Sequence, residues 1–487
     1  MTIFNYLIKF ILVVLIIFTP IAFSSIELWA FSLMELGILL IIILWAVQTA
    51  IFTLRSPGVA GAKDGRNPWP VQCGANFTGP QSAIGMVLLC IFLLLILFQL
   101  LPLPPGILKT LSPKTYELRS ALSFDLSALS FPLSFFPLAT QIEFFKWLTL
   151  IGLFFFLLHS KILDDKYRVM KQLIIVIMLV GVAESLYGMF EFFSGHKYII
   201  HRNMEDRMSF VTGTFINRNH FAGYLLMVIP LSVGFLFSRE AMQIGRFRGW
   251  RERLVSLDGK TLLIGFSVIV MILGLLFSAS RMGISSLLLS FTLLSLLIRS
   301  PSKEHRFSRT SILILGLALL WAAWIGLDSV ISRFLTSSED FKVRWEFWVN
   351  TFQIFKDFPI FGSGLGTFAW VFPMYRSFHL IGIATHAEND FLQLASEVGI
   401  VGIGLLLILF LFLLYKAISR INSFSHRESG RYIGIGSLVG ILALMFHSIV
   451  EKNIQVPSNA FLYTILWAIV LRISLGGVSK SNNSLTY

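Results

Sequence analysis

The chain has 487 residues, 56% of them hydrophobic and only 13% charged, with a formal net charge of +13 and a mean hydropathy of +0.79. Soluble domains carry about 25% charged residues, so a string of water-soluble globules is excluded. The basic residues cluster between long apolar runs, which makes membrane topology, not nucleic acid, the reason for the positive charge.

A helix crosses a bilayer with about 20 mostly apolar residues. Runs of that kind lie at 6–23, 31–52, 83–103, 142–159, 169–193, 219–237, 261–279, 282–298, 310–328, 395–418, 432–452 and 459–476. The length rule thus gives about twelve spans. The first run has Lys9 as its only basic residue and no small-residue cleavage site, so it reads as a retained span, not a leader. The runs at 261–279 and 282–298 are separated only by Ser280 and Arg281 and read as a tight helical hairpin. Lys and Arg gather in alternate loops, at 55–66, 161–168, 239–260, 299–309 and 416–431, and again beyond 472. The positive-inside rule then places both termini in the cytoplasm.

Three segments on the outer side break that bias: 194–218, the hairpin turn at Arg281, and the long stretch 329–394. Positive charge kept there against the topological preference is most simply explained by an anionic ligand. The long stretch has aromatics at helical spacing from Arg344 to Phe352, then Asp357-Phe358-Pro359 and a run of glycines that end the helix. It is too long for a structureless loop and reads as a small helical cap. The expected parts are 1–211, with the N-terminal spans; 212–418, a core that includes the cap 329–394; and 419–487, with the last spans and a cytoplasmic tail.

Chemistry-bearing residues gather in the same segments. Arg218 sits at a span entrance among Asn217, Asn219 and His220. It reads either as an interfacial anchor that reaches back to water or as part of a polar site that is costly to keep there unless used. Arg281 stands at a turn whose next helix starts from Ser278 or Ser280. It is either a simple turn residue or a phosphate ligand beside free backbone N–H groups. In Thr385 to Gly399, a helical reading puts His386, Asn389, Asp390 and Gln393 on one face. His386 suits proton transfer at neutral pH, whereas Glu388 and Asp390 also suit a helix N-terminus. A metal held by Glu388 and Asp390 has weak support. The two cysteines, Cys73 and Cys90, make no metal or disulfide pattern. No Walker-type loop is present. Few charges are expected inside the spans, with Glu184 and Glu191 the candidates for a proton-coupled transporter.

Four stretches carry a resemblance: Gly213 to Gly223, Ser278 to Arg281, Arg344 to Phe368, and His386 to Gly399. In this order they resemble the O-antigen ligase and polymerase family of bacterial membrane glycosyltransferases. The resemblance implies an all-α, polytopic helical bundle with a periplasmic cap in the bacterial inner membrane. It implies transfer of a glycan from a polyprenyl-diphosphate carrier to a hydroxyl of another glycan or of a lipid core, without metal or other cofactor. Carried over by position, Arg218, Arg281 and Arg344, with Asn217 and His220, would hold the diphosphate, and His386 would serve as base. Many members show His-x-His-Asn, where this chain has His386-Ala387-Glu388-Asn389, so Glu388 shares the candidacy. Ligase and polymerase stay undivided. A transporter of a lipid-linked or anionic solute, or a non-catalytic envelope assembly subunit, are the alternatives.

Overall fold

In the computed structural model, the residues described are 2–55, 80–122, 130–160, 168–195, 198–200, 202–203, 210–241, 258–298, 316, 337–379, 382–425 and 428–473. The expected span at 310–328 lies outside them, as do Cys73 and most of the loops whose basic residues set the expected orientation.

Each of the other expected spans forms a helix. These are α1 (Thr2–Ile21), α2 (Leu28–Arg55), α3 (Pro80–Leu100), α6 (Pro137–His159), α7 (Arg168–Ser194), α8 (Arg218–Ala241), α9 (Gly259–Phe277), α10 (Arg281–Leu297), α13 (Asp390–Ser423), α14 (Ser429–His447) and α15 (Pro457–Arg472). Two short helices, α4 (Pro105–Leu111) and α5 (Pro113–Leu122), follow α3. The stretch 337–389 holds α11 (Ser337–Asp357) and one turn, α12 (Phe368–Val371). Two tiny antiparallel ribbons complete the structure: β1 (Pro102–Leu103) with β2 (Phe131–Pro132), and β3 (Tyr198–Ile199) with β4 (Arg202–Asn203). Among the described residues, eight helices are long and apolar enough to cross a membrane, and two shorter apolar segments lie in α3 and α10. The chain is an all-α membrane bundle.

The helix starts follow from local sequence. Asp258 caps α9 by accepting from Thr261 N at 3.0 Å, and Ser280 caps α10 by accepting from Gly283 N at 3.2 Å. Asn389 caps α13 by accepting from Leu392 N at 3.0 Å. Prolines open α6 and α15, where a missing N–H costs nothing.

The core centres on α8, whose apolar stretch is entirely buried, against α14, α9, α10, α7 and α15. The α8–α14 crossing is tight because small residues meet there. A Cβ on Gly234 would stand 2.4 Å from Tyr432 O, and one on Gly436 would stand 2.4 Å from Pro230 O. In lipid, such close backbone approach is a main source of helix association.

A second junction breaks a span. Gly399, nine residues into α13, has φ 64° and ψ −170°. The N–H groups freed by the break find partners: Ile400 N donates to Pro359 O at 2.8 Å and Val401 N to Ile360 O at 3.2 Å. The segment after α11 is thereby stitched into α13, which satisfies backbone groups that lipid cannot. A Cβ on Gly399 would lie 2.2 Å from Ile360 O. Gly399→Ala is therefore expected to destabilise the protein by at least about 1–3 kcal/mol, from left-handed strain plus overpacking. The thermal midpoint of the purified variant checks this, and an unchanged midpoint would contradict it.

Candidate active site

Three helix N-termini, those of α8, α13 and α15, meet at one short segment, 448–456, between α14 and α15, and the start of α10 packs on α8. Asp390, the first residue of α13, donates its N–H to Ser448 O at 3.1 Å. Its Oδ2 accepts from Asn453 N and Ile454 N, each at 2.8 Å. Asn459, in the first turn of α15, donates to His220 O at 3.2 Å. A Cβ on Gly223 would stand 2.1 Å from Asn453 Oδ1, and one on Gly283 would stand 2.9 Å from Ala222 Cβ. The starts of α8, α13 and α15 are thus neighbours around this segment, with the start of α10 against α8. Each leaves N–H groups without intrahelical partners and carries the positive end of a helix dipole, a combination that favours anions.

Arg218 and Arg281 are the first residues of α8 and α10. The Gly283–Ala222 contact brings these two helix starts together. The Arg218 guanidinium lies 4.0 Å from the centre of the Phe210 ring. Asn217 caps α8, its Oδ1 accepting from Asn219 N at 2.8 Å. His220 is buried one turn into the helix.

Arg344 reaches the same place from α11. Its Nη1 donates to Val450 O at 2.8 Å and its Nη2 pairs with the buried Glu451. Asn219 Nδ2 donates to the same carboxylate at 2.6 Å. Arg344 is thus a clamp holding 448–456 to α11, whatever else it touches. Removing one partner of a buried pair leaves an uncompensated charge, so Arg344→Ala is expected to cost about 3–5 kcal/mol, and Arg344→Ala with Glu451→Gln much less. Denaturation of both variants checks this; an equal loss in the two would contradict it.

His386 lies outside any helix, because α13 begins only at Asp390 after its cap, Asn389. The helical face expected from His386 to Gln393 is therefore made differently. The turn 386–389 folds back, with Glu388 in the left-handed region at φ 51°. This brings His386 Nδ1 to 3.5 Å from Gln393 Nε2, and the Gln455 side chain also hydrogen-bonds the ring. Glu388 is fixed through its backbone, its O accepting from Trp348 Nε1 at 3.3 Å. Strained residues of this kind concentrate at working sites. Burial pushes the His386 imidazole well below its usual value, and Lys452, His220 and Lys146 act in the same direction, against the Gln455 hydrogen bond. The ring is neutral at pH 7, with a lone pair able to take a proton.

The supports beneath are buried and polar. Gln393 Nε2 donates at 3.1 Å to both Glu397 Oε1 and Gln455 Oε1. Glu397 accepts from Gly366 N at 2.9 Å and Phe368 N at 3.1 Å. Gln99 bridges Phe361 O, Glu397 O and Leu365 N. The glycine run 362–366 is thus fastened under the His386 turn. Glu184, read from the sequence as a transport candidate, holds the 212–214 motif: its carboxylate takes Thr214 N and the Thr214 hydroxyl, each at 2.8 Å. The spans also hold buried Lys146, paired with Glu143 at 2.6 Å, and buried Glu397, so they carry more charge than the expected few.

An apolar slot of about 350 Å³ runs down from this cluster, walled by α6, α13 and α15 through Leu150, Phe154, Leu406, Phe410, Tyr463 and Trp467. Its polar end is formed by Lys146, Asp390, Glu397 and Gln455. Among the described residues, no three His, Cys, Asp or Glu side chains gather as a metal site.

Sequence reading missed Glu451, Lys452, Asn453 and Gln455. The expected span at 432–452 swept Glu451 and Lys452 into the membrane, but α14 stops at His447. The two charges in adjacent positions were the available signal.

Residues 266–407 match the family model described as O-Antigen ligase. The matched segment contains Arg281, Arg344, His386 and Glu388; Arg218 precedes it and Lys452 follows it. A search of curated proteins gives no match. Residues 266–407 are thus similar to an O-antigen ligase domain over a little under a third of the chain.

Proposed function

We propose that the chain transfers a glycan from a polyprenyl-diphosphate carrier to a sugar hydroxyl on the outer face of the bacterial inner membrane, with both termini in the cytoplasm. The carrying observation is the convergence of the starts of α8, α13 and α15 on segment 448–456 beside a neutral His386, with α10, which Arg281 begins, packed on the start of α8 that Arg218 begins. The carrier chain lies in the apolar slot beneath, and its diphosphate lies against the helix starts. His386 takes the proton from the acceptor hydroxyl as the oxygen attacks C1 of the donor sugar. The C1–O bond to the diphosphate breaks, and its electron pair leaves with the phosphate. Arg281 and Arg218 meet the charge that develops there. A single displacement of this kind inverts the anomeric centre and needs no metal. The acceptor hydroxyl belongs to a second glycan or to a lipid core.

Reconstitution into vesicles with labelled lipid-linked glycan and acceptor tests the proposal. Label joined covalently to the acceptor supports it. Label moved across the bilayer but still on its carrier would instead show a transporter.

A further inference from the structure

The segment 448–456 holds a cation that the transfer reaction has not yet used. Its neighbours in the chain are all fastened: Val450 and Glu451 by Arg344, and Asn453 and Ile454 by Asp390. Lys452 is therefore presented from a fixed backbone. Its side chain is partly buried. Among the described residues, no side chain or carbonyl makes an ion pair or hydrogen bond with its ammonium.

Charged groups face it from several elements: Glu388 and His386 from the turn before α13, Asp390 from α13, Glu143 and Lys146 from α6, and His220 from α8. Most of these are already committed. Asp390 Oδ2 holds two backbone N–H groups, and Glu143 pairs with Lys146. Glu388 faces the ammonium without touching it. A cation held on a fixed backbone without a partner is placed to meet an anionic ligand. Lys452 and His386 face one another, so an anion met by this cation lies where the donor's C1 and its phosphate must lie.

We infer that Lys452 binds the diphosphate of the carrier-linked donor, as a third cation beside Arg218 and Arg281. The inference rests on the transferase reading above. Lysine acts here as a point charge, able to follow the phosphate oxygen as the bond to C1 lengthens. Burial holds the Lys452 ammonium down to about 8, with Glu388 and Asp390 opposing that shift. It is charged at neutral pH and loses its proton on the alkaline side.

Farnesyl diphosphate, with farnesol as control, is the probe for the full-length protein in detergent. Lys452→Met is expected to weaken farnesyl diphosphate binding by about tenfold or more and to leave farnesol binding unchanged. Lys452→Arg keeps the charge at all accessible pH. It is expected to restore binding and to abolish the fall in kcat/KM expected of the wild type above about pH 8. Equal affinity of wild type and Lys452→Met for farnesyl diphosphate would overturn the inference and leave the transferase reading standing. So would a wild-type alkaline limb that persists in Lys452→Arg. If the wild type fails to turn over lipid-linked donor at all, the transferase reading falls, and this inference with it.

Discussion

Replacing His386 with glutamine is expected to lower kcat for glycan transfer by about 10²- to 10⁴-fold, the usual contribution of a positioned general base. Donor binding should change little, since glutamine keeps the size and hydrogen bonding of the site but cannot take a proton. The argument rests on environment. The ring is partly buried, faces Lys452, His220 and Lys146, and is held below its ordinary imidazole value. A base depressed in this way is unprotonated throughout the neutral range. The acidic limb of kcat/KM due to His386 should accordingly lie below pH 6.5, the unperturbed value. Glu388→Gln provides the comparison. Its carboxylate stands on a left-handed turn, two residues after His386. If Glu388→Gln removes the activity and His386→Gln leaves it, the base is Glu388 and the assignment to His386 is wrong. Single-turnover rates with lipid-linked donor would make the distinction.

Arg281→Ala should lower kcat by about 10²- to 10³-fold, comparable to the loss of one preorganised donor to a developing negative charge. The turn around Arg281 is built for placement. Ala279 is left-handed at φ 49°, Ser278 Oγ donates to Leu275 O at 2.6 Å, and Ser280 caps the helix that Arg281 begins. The guanidinium is therefore carried by two rigid helices with almost no loop. Charge alone does not replace it. Arg281→Lys should recover only part of the rate, because an ammonium lacks the forked pair of donors that matches two phosphate oxygens. Full activity in Arg281→Lys would show that the site needs only a positive charge. Full activity in Arg281→Ala would remove Arg281 from the mechanism.

The sequence made the bundle readable because crossing a bilayer demands length and apolarity, and both are local. The start of α10 was legible through Ser280, whose side chain accepts from its first turn; the start of α13 was not, because a helical reading ran from His386 and Asn389 caps the helix only at Asp390. Arg218, Arg281 and His386 were legible through motif order. Contacts between distant segments were not. Arg344 read as a phosphate ligand, yet its guanidinium holds Glu451 and Val450 O. Nothing in its own stretch announces that pairing. Lys452 was hidden because averaging hydropathy over the preceding helix absorbs two terminal charges. The break at Gly399 was visible only as a glycine. What it does depends on the carbonyls of Pro359 and Ile360, brought in by the segment after α11. His386 came within reach of Gln393 by a folded-back turn, although helical spacing had suggested the pairing for a different reason.

The most direct test follows the carrier itself. Purified wild-type protein, His386→Gln and Arg281→Ala would each be incubated with polyprenyl-diphosphate-linked oligosaccharide and an acceptor glycan. Release of polyprenyl diphosphate would be measured over time. Rapid release by the wild type, matched mole for mole by glycan joined to the acceptor and reduced at least about a hundredfold in both variants, is the predicted result. Release at wild-type rates from both variants, or none from the wild type, would contradict the account.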